Sequence, residues 1–133
     1  MRRFESTPFL RLQMPGGRRL DAWLAESFAA RLLGLAFAAG LPDGRALLLP
    51  RCRSVHTVAM RFAIDIAFLD SELRVLAVSP GVRPWRLRLQ RGARAVLELP
   101  AGEADRVGIA PGDQLTVECS ATNDEKEKAH VLA

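Results

Sequence analysis

The segment from Phe62 to Leu69 narrows the fold more than any other part of the chain. In an extended strand successive side chains point to opposite faces. Phe62, Ile64, Ile66 and Phe68 then share one side, and Ala63, Ala67 and Leu69 share the other, with Asp65 as the polar exception. A strand that is apolar on both sides has to be covered on both faces, which predicts a central strand of a sheet. Asp70, Ser71 and Glu72 make a tight turn, and Leu73 to Ser79 returns as a second strand. The two runs predict an antiparallel hairpin.

Short strand signals separated by Pro and Gly fill most of the remaining sequence. Phe9 to Met14 reads as a half-buried strand and Pro15, Gly16 and Gly17 as a turn. Residues 18–25 read as the returning arm, with a helix starting at Asp21 as the competing reading. Ser27 is a plausible N-cap, and Phe28, Leu32 and Leu35 recur at helical spacing, which predicts a helix over 28–37. Ala46 to Leu49 is a buried strand that Pro50 stops. Residues 51–57 show no clear period and read as loop or irregular strand.

Pro80, Gly81 and Pro84 mark a loop that runs through Trp85. Leu87 and Leu89 alternate with Arg86 and Arg88, as in a short edge strand, and Arg94 to Leu99 reads as a core strand. Glu103 to Val107 forms one helical turn closed by Gly108, and Leu115 to Cys119 is the last strand. The sum is an α+β fold, with a mainly antiparallel, barrel-like sheet and one or two short helices. Residues 1–119 form a single compact domain and residues 120–133 a polar tail that is expected to fray.

With 133 residues, 49% of them apolar and 26% charged, the chain is globular and has room for one ordinary core. No apolar run approaches the roughly 20 residues that span a bilayer, so no membrane partner is expected. Met1 to Pro8 is not followed by an apolar segment of the signal-peptide kind. Two cysteines do not make a disulfide scaffold. The expected location is the cytoplasm, with reduced thiols.

Nineteen basic residues, seventeen of them Arg, stand against fifteen acids. Their distribution is uneven. Between Asp43 and Asp65 there is no acid but there are Arg45, Arg51, Arg53 and Arg61. Between Glu72 and Glu98 there is again no acid, but Arg74, Arg83, Arg86, Arg88, Arg91 and Arg94 are present. If the two stretches meet, with Trp85 at or beside them, they form a positive face that suits an anion. Acids from elsewhere, such as Glu98 or Glu103, would cancel that field if they folded against it. The bland alternative is a solvated strand face.

Few residues carry chemistry. Cys52 and His56 are spaced as two metal ligands, but a structural zinc needs four and a catalytic one three, so no metal and no cofactor is expected. Cys52 then reads as a small buried hydrophobe. His56 is either a hydrogen-bonded, half-buried residue or a general base. Asp65 either faces solvent by alternation or turns inward, where Arg61 or His56 is its natural partner. Trp85 among Arg83, Arg86 and Arg88 combines a stacking surface with cations, as single-stranded nucleic-acid binders do. One Trp and no Tyr nearby make a poor stacking platform.

Four ordered blocks carry a wider resemblance. They are Arg31 to Leu35, Ser54 to Asp70, Val96 to Gly102 and Gly108 to Asp113. Together they resemble the prokaryotic family called domain of unknown function 192, over roughly residues 18–119. The resemblance implies a compact, barrel-like α+β domain and no established activity. Many relatives have a Trp-Met pair where His56 and Thr57 stand, and Pro where Ala63 stands. A pocket histidine is therefore not shared by the whole family.

Three functional readings follow. The leading one is binding of a small anionic ligand near residues 52–61 and 83–88. His56 and Thr57 would supply hydrogen bonds, Met60 an apolar wall, Arg53 and Arg86 charge, and Trp85 a flanking surface. The second is a hydrolase-type enzyme with His56 as general base oriented by Asp65. The third is a nucleic-acid or protein interaction module that uses the Arg-rich face. A pocket favours the first two and an open surface the third. The chain is expected to be a monomer or a dimer.

Overall fold

A computed structural model describes residues 9–24, 45–57, 60 and 62–120. The helix expected over 28–37 and nearly all of the polar tail lie outside the described residues. So do Arg61 and its expected link to Asp65.

Nine strands and one short helix are described. They are β1 (Phe9–Gln13), β2 (Arg19–Leu24), β3 (Arg45–Pro50), β4 (Ser54–His56), β5 (Ile64–Leu69), β6 (Val75–Val82), β7 (Leu87–Leu89), β8 (Ala95–Pro100), α1 (Glu103–Val107) and β9 (Thr116–Ser120). Seven strands make one sheet in the order β6-β5-β8-β3-β2-β1-β9, and β4 and β7 form a separate two-stranded ribbon. The sheet is mixed. Its described pairs are antiparallel except β2 with β3, which run parallel. A parallel pair needs a long crossover, and residues 25–44 supply its length.

The hairpin expected from the period of the sequence is present as β5 and β6. Every residue of β5 is buried, as a central strand between β6 and β8 requires. β6 runs further than expected, through Pro80 and Gly81 to Val82. Its register with β5 shifts between Ile64 and Ile66. Gly81 has a φ of 57° there, the left-handed backbone at which glycine is preferred.

Alternation along the central strands builds two cores, one on each face. Ala67, Leu69, Leu97 and Leu99 join Leu10, Leu12, Leu20 and Leu115 on one face, where Ala104 and Val107 of α1 also pack. Ile64, Ile66, Phe68 and Val96 join Leu47, Leu49, Val55 and Met60 on the other. The β4–β7 ribbon adds Val55 to this second core.

A closed barrel is not formed among the described residues. β6 and β9 remain at opposite ends of the strand order. They approach one another only indirectly, through an isolated bridge between Arg74 and Gln114. Val75 N–H donates to Asp113 C=O at 2.8 Å and Leu115 N–H to Leu73 C=O at 3.0 Å, beside that bridge. These bonds tie the start of β6 to the segment leading into β9, but no ladder joins the two strands.

α1 is a single turn. Gly108 ends it with φ 78°, its N–H directed at the carbonyls of Ala104 and Asp105. Gly in this conformation is a common helix stop.

Candidate functional site

β4 and β7 pair antiparallel, with Ser54 opposite Leu89, Val55 opposite Arg88 and His56 opposite Leu87. Two further bonds fix the phase of the ladder. Thr57 N–H donates to Arg86 C=O at 2.8 Å and Gln90 N–H to Arg53 C=O at 3.1 Å. Hydrogen-bonded and non-bonded pairs alternate along an antiparallel ladder. Val55 and Arg88 are therefore a bonded pair, while Ser54–Leu89 and His56–Leu87 are non-bonded pairs whose side chains approach more closely. Val55 is buried, and Ser54, His56, Leu87 and Leu89 are exposed. The ribbon thus turns one face into the second core and presents leucines on the other.

Trp85 precedes this strand with φ 65°. Few non-glycine residues occupy left-handed backbone unless their surroundings enforce it. The enforcing residue is Thr57. Its carbonyl accepts the N–H of Trp85 at 3.0 Å and of Met60 at 3.2 Å. Its hydroxyl donates to Arg83 C=O at 2.7 Å and accepts the N–H of Arg86 at 2.8 Å. Thr57 is buried, and Met60 lies inside the second core. Both residues were expected at a ligand, and both have their main contacts within the protein.

Trp85, Leu87 and Leu89 retain 66%, 61% and 67% of their accessible surface. In and beside the same two segments Arg53, Arg83, Arg86, Arg91 and Arg94 are exposed and Arg88 is half-buried. Among the described residues none of these six arginines forms an ion pair. Arg86 Nη1 reaches the carbonyls of Pro84 and Trp85 at 3.4 and 3.3 Å, and Arg88 Nη1 that of Leu87 at 2.9 Å.

The two acid-free stretches of the sequence therefore meet in the β4–β7 ladder. The acids that would have cancelled their field, Glu98 and Glu103, are both buried. Glu103 is buried and bonded to Arg106 at 2.7 and 2.5 Å. Glu98 is 4% exposed, and burial pushes its carboxyl up to about 8, so it is largely uncharged at neutral pH.

Asp65 turns inward and is 1% exposed. One carboxylate oxygen accepts the N–H of Gly81 at 2.8 Å and the other the N–H of Ala104 at 2.9 Å. The carboxylate joins the bulge of β6 to the first turn of α1. No described hydrogen bond links it to His56, which lies on the exposed ribbon. Beside Asp65 is a groove of about 500 Å³, lined among others by Val78, Pro80, Ala104 and Ile109. Among the described residues its only charged lining residues are Asp65 and Asp105, which disfavour an anion.

Cys52 is half-buried, and its thiol donates to Ser54 C=O at 3.0 Å. Cys119 lies on β9, at the far end of the sheet order. Among the described residues no group of three or more His, Cys, Asp and Glu side chains is arranged to hold a metal. Among the same residues no helix is long and apolar enough to cross a membrane.

Two features escaped the reading of the sequence. The alternation of Leu87 and Leu89 with arginines announced an edge strand but not which set faces water. Glu98 sits between Leu97 and Leu99 with Val96 two residues before it, and strand alternation from Val96 was the available sign that it points into a core.

Comparison with known proteins places these features in a family. Residues 11–117 match the family DUF192, described as Uncharacterized ACR, COG1430. A UPF0127 protein of Pyrococcus furiosus is 33% identical over 101 residues, 73% of this chain and 86% of that one. A UPF0127 protein of Pyrococcus horikoshii is 33% identical over 96 residues, 69% of this chain and 83% of that one. Among solved structures, a protein of unknown function from Novosphingobium aromaticivorans superposes with a TM-score of 0.71 at 26% identity, covering 81% of this chain and 84% of its own. A Sinorhizobium meliloti protein, provisionally described as a transcription regulator, gives a TM-score of 0.73 at 25% identity, covering 84% of this chain and 94% of its own.

Proposed function

This chain belongs to the DUF192 family, and from the ribbon it carries we propose that it is an interaction module that docks an anionic partner on the ribbon of β4 and β7. The observation that carries this reading is the outward exposure of Trp85, Leu87 and Leu89 beside arginines that no described acid neutralises. Tryptophan and arginine are enriched among the residues that dominate binding at protein surfaces. Leucines on one side of the ribbon and arginines on the other complement a partner that offers both apolar and acidic groups.

The other readings have less support. A small anionic ligand held by Arg53 and Arg86 would lack the expected hydroxyl of Thr57 and wall of Met60, since both are engaged inside. A hydrolase built on His56 would lack the orienting carboxylate, because Asp65 holds the amides of Gly81 and Ala104. The relative provisionally described as a transcription regulator raises nucleic acid as a partner. Two leucines to one aromatic ring make a weak platform for bases.

Titration with poly-glutamate tests the proposal, at low and high salt, beside inorganic phosphate and oligothymidylate. Poly-glutamate is expected to bind at low salt and to be weakened by Arg53→Glu, Arg86→Glu and Leu87→Ser. Binding that ignores all three substitutions, or no binding at low salt, would remove the ribbon from consideration. Binding of phosphate alone with equal strength would favour the small-anion reading instead.

A further inference from the structure

The ribbon has an unused edge. Arg88 directs its backbone groups at Val55, so those of Leu87 and Leu89 point away from β4 by the alternation of an antiparallel ladder. Among the described residues β7 pairs with β4 alone. Among the described hydrogen bonds the carbonyl of Leu87 accepts only from the guanidinium of the adjacent Arg88. The N–H groups of Leu87 and Leu89 have no protein acceptor among the described hydrogen bonds. Natural sheets usually blunt or cover such edges. Among the described residues the edge stands open beside two exposed leucines.

Resting on the reading of the ribbon as a docking surface, we propose that the outer edge of β7 takes an extended acidic peptide as an added strand. Strand addition draws affinity from main-chain hydrogen bonds and selectivity from alternate side chains. The two faces of β7 dictate that alternation. Residues of the incoming strand on the side of Leu87 and Leu89 meet an apolar surface. Those on the opposite side meet Arg86 and Arg88. A segment that alternates apolar with acidic residues satisfies both faces. An oligonucleotide or an anionic lipid surface satisfies the charge but leaves the outward N–H groups of Leu87 and Leu89 without a strand partner.

The probe is a fluorescein-labelled peptide that alternates glutamate with valine, read by anisotropy against the full chain. Its twin carries N-methyl groups on the amides that would face β7. The protein variants are Leu89→Pro, which deletes an outward N–H but leaves the Val55–Arg88 pair, and Arg86→Glu. Proline is tolerated on an edge strand where its missing N–H faces solvent. The N-methyl twin removes the reciprocal bonds, from peptide N–H groups to the carbonyls of β7, with no change to the protein, so misfolding of a variant does not obscure the answer.

The plain peptide is expected to bind, and its twin to bind roughly tenfold more weakly or worse, the scale of one or more lost hydrogen bonds. Leu89→Pro is expected to reproduce that loss. If Arg86→Glu weakens the peptide while N-methylation and Leu89→Pro do not, strand addition is wrong and the charged docking surface stands. If the wild-type chain ignores both the peptide and poly-glutamate, both readings are wrong. Displacement of the peptide by oligothymidylate or by phosphatidylserine vesicles, with the same arginine dependence, overturns the choice of a peptide partner.

Discussion

Thr57 holds Trp85 in a left-handed backbone conformation, its carbonyl accepting the Trp85 N–H at 3.0 Å while φ at Trp85 is 65°. The Thr57 hydroxyl grips the loop on both sides of the ring, at Arg83 C=O and Arg86 N–H. Outward presentation of an indole on strained backbone is opposed by burial of the ring and by relaxation of φ. Five hydrogen bonds between this one buried residue and residues 83–86, four of 2.7–3.0 Å and one of 3.3 Å to Arg86 C=O, hold it there.

Thr57→Val keeps the shape of the side chain and removes its hydroxyl. Arg83 C=O and Arg86 N–H then lose a protein partner, and an unmet buried polar group costs about 1–3 kcal/mol. Urea unfolding should show a loss in that range, and Thr57→Ser should recover most of it. Quenching of the Trp85 emission should also change, because the loop that sets its exposure is released. Equal stability of Thr57→Val and wild type would mean that the hydroxyl does not organise the loop.

Local pattern carried the parts of this fold that depend on neighbours in sequence. The period of Ile64 to Leu69 gave a central strand, and the turn at Asp70 gave its hairpin, where the Asp70 carboxylate accepts the N–H groups of Glu72 and Arg74. What was not legible depends on residues far apart. β6 continues past Pro80 because Asp65 takes the N–H of Gly81, sixteen positions away. The barrel-like closure rested on counting strands, whereas a ladder between β6 and β9 needs a register that no local signal sets. At the site, exposed arginines and Trp85 were legible from charge and residue type. Thr57 read as a ligand donor because its bonding capacity is used by residues 83–86, beyond any local window.

Asp65 serves two amides at once, so its substitutions should grade by acceptor count. Asp65→Asn keeps one oxygen and should cost about 1–3 kcal/mol, while Asp65→Leu removes both acceptors and should cost more. Amide hydrogen exchange at Gly81 and Ala104 locates the effect. Both should exchange faster in Asp65→Leu, ahead of the core strands. Unchanged exchange at both amides would contradict the bridging role.

Gly108 and Gly112 separate backbone strain from collision. Both have positive φ, 78° and 93°. A Cβ on Gly108 would sit 2.6 Å from Arg18 Nη1, whereas one on Gly112 meets nothing within 4 Å. The guanidinium is the far end of a flexible side chain, so it can move aside. Gly108→Ala and Gly112→Ala should therefore each cost on the order of 1 kcal/mol, from the left-handed backbone. A much larger loss at Gly108, relieved by Arg18→Ala, would show that the collision dominates.

Glu98 should make the fold pH-sensitive in an identifiable window. It stands between Leu47 of β3 and Ile66 of β5 in the register. Among the described residues one of its carboxyl oxygens is buried without a hydrogen-bond partner. Burial raises its carboxyl from 4.5 to about 8, which favours the protonated form in the native state. The unfolded chain releases this proton near the ordinary value and the native chain only near the raised one. Stability from this group is therefore complete below about 4.5 and is lost as pH rises towards about 8, a change on the order of a few kcal/mol. Asp70 acts in the opposite sense, since its backbone hydrogen bonds lower it from 3.8, and its effect is confined to more acid solution. Glu98→Gln removes the titration, and Glu98→Leu removes the polar group altogether. Both variants should unfold at higher urea concentration than wild type at pH 8 and should flatten the decline between pH 5 and pH 8. A wild-type decline that survives unchanged in Glu98→Gln would assign it to other groups and leave Glu98 with a hydrated, ordinary carboxylate.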